Sequence, residues 1–145
     1  MQQPIVISGA GILGCYISCA LSLQGIDSIV LEKKDDEVED SVRTITLNPF
    51  SKNLLDKIGI ENDYSMINKM EVKDFDGTGK IVFKSREIGM DHLAYVSDFA
   101  TLLMAVRKKA SEKILYKEEI IDIDNKGDLN AVSYTHLTLP TTDRV

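Results

Sequence analysis

The fold of this chain is decided near its start, where residues 5–14 read Ile-Val-Ile-Ser-Gly-Ala-Gly-Ile-Leu-Gly. An apolar run precedes the spacing Gly-x-Gly-x-x-Gly, and a stretch of helical character follows it. A second apolar run, residues 29–31, then ends at Glu32. This order predicts a βαβ unit, and therefore an α/β fold, with the glycines in the first strand-to-helix turn.

The three glycines have different physical roles in such a turn. Gly9 makes the tight bend, Gly11 lets a pyrophosphate approach the backbone, and Gly14 lets helix and strand pack closely. The helix N-terminus favours negative charge, and an acidic residue about 20 positions on accepts ribose hydroxyls. Glu32 holds that position, so the motif predicts a Rossmann-like dinucleotide-binding core. A glycine-rich turn in some other α/β domain is the alternative, but it leaves Glu32 unexplained.

Composition and charge limit the class of protein. The 145 residues are 43% hydrophobic and 28% charged, as in one ordinary globular domain or part of one. The net charge of -6 argues against non-specific nucleic-acid binding. Residues 12–15 resemble a lipobox, which would indicate a lipoprotein signal peptide. Such a signal begins with a positively charged region, and no basic residue precedes Lys33, so this interpretation is disfavoured. No apolar stretch reaches the roughly 20 residues of a membrane span, so we expect a cytoplasmic protein.

No metal site or catalytic side chain is predicted. Cys15 and Cys19 are expected to be reduced, buried and small rather than a disulfide or a zinc pair. The acidic residues 35–40 lack the spacing of a calcium loop and are interpreted as a solvated loop. His92 is interpreted as structural, and the catalytic residues are left unassigned.

The remaining sequence predicts further helices and strands. Asn48 as N-cap, Pro49 at the first helical position and Gly59 beyond the end mark a second helix. The other predicted elements are a first helix over 12–24 ended by Gly25, a hairpin over 71–84, a third helix over 97–112, and strands over 114–116 and 120–123.

In this order of motifs the chain resembles the N-terminal part of the FAD-dependent aromatic hydroxylases, and most closely the ubiquinone-biosynthesis hydroxylases. The likeness covers residues 3–125, and its specific parts are Arg43 and residues 46–59. It implies a Rossmann-like FAD-binding core with an inserted hairpin region, truncated, with residues 1–130 as the N-terminal part of an FAD- and NAD(P)-binding domain.

The resemblance also implies a set of cofactor-binding residues. Gly9, Gly11 and Gly14, with the backbone of Ile12 and Leu13, would hold the FAD pyrophosphate. Glu32 would bind the adenosine ribose with Lys33 beside it, and Arg43 would reach toward the cofactor. An ion pair with the acidic loop is the alternative for Arg43.

The start of the third helix departs from the family. The family usually reads Glu-Asn-Arg or similar here, whereas this chain has Asp98, Phe99 and Ala100. We therefore predict no flavin contact from this helix beyond a weak candidate at Asp98.

The implied activity is hydroxylation of an electron-rich aromatic ring with oxygen, with NAD(P)H as the electron donor and a ubiquinone precursor as the substrate. The flavin carries this chemistry, while the protein positions and shields it. The implied partners are a small aromatic substrate, with or without a prenyl chain, and a peripheral association of the complete protein with the inner membrane or a biosynthetic complex. Two alternatives stay open: another FAD- or NAD-dependent oxidoreductase, and a non-catalytic nucleotide-binding module.

The C-terminal residues resemble a translated sequencing adaptor. From Val132 the chain reads Val-Ser-Tyr-Thr-His-Leu-Thr-Leu-Pro-Thr, which matches a transposase mosaic end. We therefore expect residues 131–145 to be non-native and poorly packed, and the natural protein to be interrupted near Asn130. By itself, this chain is then expected neither to hold FAD stably nor to be catalytically active.

Overall fold

The computed structural model describes residues 3–38, 42–126 and 129–134. The chain divides into two compact units, Met1–Val38 with Val106–Val145 and Glu39–Ala105. The boundary between them falls within the third helix. No helix in the described ranges is long and apolar enough to cross a membrane.

The first unit contains a parallel sheet of three strands. Its order is β1 (Ile5–Ser8), β2 (Ser28–Glu32) and β8 (Ile114–Tyr116). Parallel neighbours need a crossover connection, and α1 (Ile12–Leu23) provides it between β1 and β2. The predicted α/β fold with a βαβ core is confirmed.

Helix α1 ends as its sequence predicts and packs through Cys15 and Ser18. Gly25 has φ 71°, and its N–H donates to Ser22 O at 3.0 Å, so the glycine ends the helix in the left-handed conformation. On the face toward β2, the buried hydroxyls of Ser18 and Ser28 are 2.9 Å apart and satisfy each other. The unit's core also contains the fully buried Cys15 and Val30.

The second unit contains an antiparallel sheet that the sequence did not predict. Its order is β3 (Thr44–Leu47), β7 (Ala94–Asp98) and β4 (Ser65–Ile67). These strands have three to five residues, too few to show a periodicity that separates strand from loop.

The second helix, α2 (Pro49–Lys57), begins and ends as predicted. The side-chain oxygen of Asn48 accepts from Ser51 N at 2.7 Å, Pro49 holds the first helical position, and Gly59 follows the end with φ 74°. Leu55 and Ile58 are buried, as expected for the core-facing side.

The predicted hairpin is present, with strands β5 (Lys69–Lys73) and β6 (Lys80–Lys84). Residues that lie directly opposite each other on the two strands share one face of the hairpin. One face is apolar, and each of its side chains is at least 40% exposed. Its members are Met70, Val72, Ile81 and Phe83. On the other face Glu71 forms ion pairs with lysines 69, 73 and 80.

Helix α3 (Phe99–Lys109) is shorter than the predicted span of 97–112. Ser97 and Asp98 belong to β7, and a 3₁₀ turn over Ser111–Lys113 follows the helix. The start was predicted too early because Asp98 is the residue just before the helix. Its carboxylate accepts a hydrogen bond from the N–H of Thr101 in the first turn, as an N-cap residue does.

The expectation of a poorly packed C-terminal tail is wrong for residues 131–134. These residues belong to β10 (Leu129–Tyr134), which pairs antiparallel with β9 (Ile120–Lys126). Strand pairing uses backbone groups that any sequence offers, and Val132 and Tyr134 are residue types that favour strands. The rest of the predicted tail, 135–145, lies outside the described residues.

Candidate nucleotide-binding site

The strand-to-helix turn has the geometry that the glycine spacing predicts. Gly9 has φ +95°, which L side chains rarely adopt, and its N–H donates to Leu31 O at 2.7 Å. A Cβ on Gly14 would overlap the carbonyl oxygen of Gly9. The turn is therefore fixed to β2 on one side and packed against α1 on the other, and a side chain at Gly14 would force them apart.

Gly11 borders open space at the N-terminus of α1. Its φ of -76° is ordinary, and a Cβ built on it meets nothing within 4 Å. It is the N-cap residue, no side chain caps this end, and the first turn contains no acidic residue. The first N–H groups of a helix have no partner within it, so those of Ile12 and Leu13 remain available. With the open space at Gly11 they form a cradle that would suit a phosphate.

The carboxylate of Glu32 lies at the end of β2, beside this turn. Its Oε2 accepts from Ala10 N at 2.8 Å, and its Oε1 accepts from Lys34 N at 3.0 Å. The side chain is 14% exposed. Two backbone donors fix the orientation of the carboxylate, and an ionised carboxylate can accept about four hydrogen bonds. Glu32 therefore keeps acceptor capacity for ribose hydroxyls.

Sequence reasoning missed Arg107, which joins the turn from α3. Its Nε donates to Ala10 O at 2.9 Å, and its Nη2 lies 3.6 Å from Glu32 Oε2. Ala10 is thus held at both its N–H and its C=O. A signal was present in the sequence, because Arg107 precedes the buried Ala110 by three positions and so shares the buried face of the predicted helix.

Lys33 and Arg43 contact other residues. The Lys33 ammonium forms an exposed ion pair with Glu119 at 2.8 Å. Arg43 belongs to the second unit, where its guanidinium lies 4.2 Å from the centre of the Phe99 ring and its C=O accepts from Phe99 N. Two residues of the acidic loop, 39 and 40, lie outside the described residues. The cofactor roles of Lys33 and Arg43 stay predictions.

The candidate at Asp98 has a structural role. Hydrogen bonds from the Thr101 N–H at 2.7 Å and the Thr101 hydroxyl at 2.8 Å hold the pKa of Asp98 below its usual 3.8. Both bonds cap α3. His92 is similarly occupied, because its Nδ1 lies 2.6 Å from Asn68 Oδ1 and its ring packs edge-on against Tyr95.

The two cysteines are free thiols with little nucleophilic character. Burial raises the pKa of Cys15 to about 11, although Arg107 opposes the shift, and burial also raises the pKa of Cys19. Since the thiolate is the reactive form, neither thiol is suited to act as a nucleophile. Cys15 is buried as predicted, but the prediction is wrong for Cys19, which is only partly buried. They give the site no chemistry of its own.

A comparison with protein families identifies the fold that carries this site. The model described as FAD binding domain matches residues 2–131. The chain belongs to this family. The match includes the glycine turn, Glu32, Arg43 and Arg107, and residues 132–145 lie outside it.

Several solved structures share the fold at low sequence identity. The p-nitrophenol 4-monooxygenase PnpA of Pseudomonas putida DLL-E4 has a TM-score of 0.72 and 17% identity, over 91% of this chain and 36% of that one. Klebsiella pneumoniae HpxO, solved with FAD and uric acid, has a TM-score of 0.71 and 19% identity, over 92% and 35%.

The Diels-Alderase PyrE3 of pyrroindomycin biosynthesis has a TM-score of 0.70 and 20% identity, over 92% of this chain and 29% of that one. The chain therefore spans about a third of the length of the proteins it matches. A monooxygenase and a Diels-Alderase share this part of the fold, so the fold identifies the nucleotide-binding framework and not the reaction.

Proposed function

We propose that this chain is the N-terminal FAD-binding part of a flavin-dependent monooxygenase that hydroxylates an aromatic ring. The observation that carries the proposal is the open cradle at Gly11, placed beside a carboxylate that two backbone N–H groups orient. Membership of the FAD-binding family supports it, as does the likeness to PnpA and HpxO.

In this proposal the described residues bind and orient the adenosine diphosphate half of FAD. The N–H groups of Ile12 and Leu13, with the α1 dipole, receive the pyrophosphate, and Glu32 accepts from the ribose hydroxyls. Gly9 and Gly14 keep the turn close to the sheet so that these groups converge. When bound, the flavin would supply the oxygen activation and the redox chemistry.

The finer parts of the proposal rest on the sequence resemblance. Arg43 and residues 46–59 favour a ubiquinone-biosynthesis hydroxylase, with NAD(P)H as donor and an aromatic ubiquinone precursor, with or without a prenyl chain, as substrate. We place the complete protein in the cytoplasm, peripheral to the inner membrane or in a biosynthetic complex. Residues 131–145 are proposed to derive from an adaptor.

An NAD-dependent oxidoreductase is the second candidate, and one observation favours it. A carboxylate at the end of the second strand also accepts the 2′-hydroxyl of the NAD ribose, and Glu32 has the orientation for that contact.

The complete gene product separates the two candidates. We expect it to purify yellow and to release flavin, identified by its absorbance, on denaturation. A colourless protein that binds NAD tightly would favour the second candidate. The same gene tests the tail, because we expect its codons after Asn130 to differ from those of residues 131–145.

The chain itself permits a test at single residues. In a ¹H–¹⁵N NMR titration with ADP, which contains the pyrophosphate and ribose of FAD, we expect the amide signals of Gly11, Ile12 and Leu13 to shift. The amide of Gly79, in the hairpin turn, is the internal control. Equal shifts at Gly79, or none at the α1 N-terminus, would refute the assignment.

A further inference from the structure

Arg107 is a buried cation whose position needs a physical reason. Its side chain is 12% exposed, and Nη1 is buried without a hydrogen-bond partner among the described residues. Burying a guanidinium is unfavourable unless charge and hydrogen bonds compensate for the lost water. The compensation comes from Ala10 O, the Glu32 carboxylate and the ring face of Tyr116, 5.6 Å from the guanidinium carbon.

These contacts link Arg107 to the ribose-binding carboxylate in two ways. The Arg107 Nη2 is within ion-pair distance of Glu32 Oε2, the same oxygen that accepts from Ala10 N. In addition, the Arg107 Nε donates a hydrogen bond to the C=O of Ala10. Glu32, Ala10 and Arg107 therefore form a closed arrangement in which the position of each depends on the other two.

The geometry requires an arginine rather than any cation. The planar guanidinium presents separate N–H groups to a carbonyl and to a carboxylate at once, whereas a lysine ammonium is a point charge on a flexible stem. Without the cation, the largely buried carboxylate of Glu32 would lose its charged partner. Its orientation would then rest on two backbone N–H groups alone, and one of them belongs to Ala10, which Arg107 also holds.

We propose that Arg107 is a positioning residue of the nucleotide site, which orients Glu32 toward the ribose hydroxyls and fixes the turn at Ala10. This role rests on the proposed function. It predicts that Arg107 sets the preference for a nucleotide with ribose hydroxyls, and not only the overall affinity.

The test compares the affinities of the chain for ADP and for 2′,3′-dideoxy-ADP, measured by NMR titration. A hydrogen bond to a charged group is worth about a tenfold or larger preference for ADP in the wild type. In Arg107→Gln we expect the preference to fall to within about twofold of unity, and in Arg107→Lys to an intermediate value. The control is Lys108→Gln, which removes a charge from the same helix at an exposed position and should leave the preference unchanged.

A purely structural role would give a different result. It would weaken both nucleotides by the same factor and leave their ratio at the wild-type value, which would overturn the proposal while the proposed function stands. A wild type that binds neither nucleotide would overturn both. If Arg107→Gln does not fold, Arg107→Lys decides the matter: a wild-type ratio overturns the role and a reduced ratio supports it.

Discussion

Replacing Gly11 by aspartate should raise the stability of the chain and weaken its nucleotide binding at the same time. Gly11 is the N-cap of α1, has an ordinary φ of -76°, and has space for a side chain. Aspartate at this position strains nothing and can accept a free N–H of the first turn. Capping and the helix dipole together should add about 0.5 kcal/mol to the free energy of unfolding, or about 2 °C in Tm.

The same carboxylate would oppose the pyrophosphate. Two unit charges about 4 Å apart interact with about 4 kcal/mol at an effective dielectric constant of 20, and salt reduces this energy. A net penalty of about 2 kcal/mol weakens ADP binding about 30-fold. Gly11→Asn is the matched control, because it has the same shape and capping ability but no charge.

Two measurements check this prediction. Thermal unfolding followed by circular dichroism gives the stability of each variant, and NMR titration at low and high salt gives its affinity for ADP. We expect the Asp variant to bind more weakly than the Asn variant, by a factor that shrinks as salt increases. If Gly11→Asp binds ADP as tightly as the wild type, the pyrophosphate does not lie at this turn. If both variants melt below the wild type, the capping argument is wrong.

Three further predictions follow from the same structure. At pH 8, iodoacetamide should modify Cys19 before Cys15, whose pKa of about 11 leaves about one thiolate in a thousand; peptide mass spectrometry gives the order, and the reverse order would contradict the burial. When the pH is lowered from about 5 to about 3, the free energy of unfolding measured in urea should fall less for Asp98→Asn than for the wild type. The pKa of Asp98 is lowered by folding, so its carboxylate stabilises the folded state above the usual pKa of 3.8. This stabilisation is lost as the pH falls through the pKa of the folded state. Parallel unfolding curves would show that this cap does not titrate. Phe83→Lys, on the exposed apolar face of the hairpin, should reduce self-association of the chain in analytical ultracentrifugation, and an unchanged sedimentation coefficient at high concentration would refute that.

The local parts of the fold could be predicted because their signals lie within a few residues. Gly9, Asn48 and Gly25 each specify a turn or a helix end through their own backbone or side-chain chemistry, and the structure has each one as predicted. The sheet β3-β7-β4 could not be predicted in this way. Its strands are short, and its pairing joins Thr44 to Asp98 across a long stretch of sequence.

The residues of the candidate site differ in the same way, because some could be predicted from local sequence and Arg107 could not. Its turn and Glu32 lie within residues 9–32 and follow from one motif, whereas Arg107 is 97 residues from the carbonyl that it contacts. No local pattern encodes that distance. The one sequence signal for Arg107 was a cation on the buried face of a helix, and its meaning depended on knowing what that face packs against.

The chemistry proposed for the site is compatible with the low identity, 17–20%, at which this chain shares its fold with solved structures. Backbone N–H groups at a helix N-terminus can receive a phosphate whatever side chains follow, and a turn of this geometry needs little beyond its glycines. Leu13 illustrates the point, since its side chain is 69% exposed while its N–H belongs to the first turn of α1, which no side chain caps. Sequence can therefore vary widely around the proposed pyrophosphate site. The contacts through side chains, Glu32 and Arg107, are where substitutions should change which nucleotide is preferred.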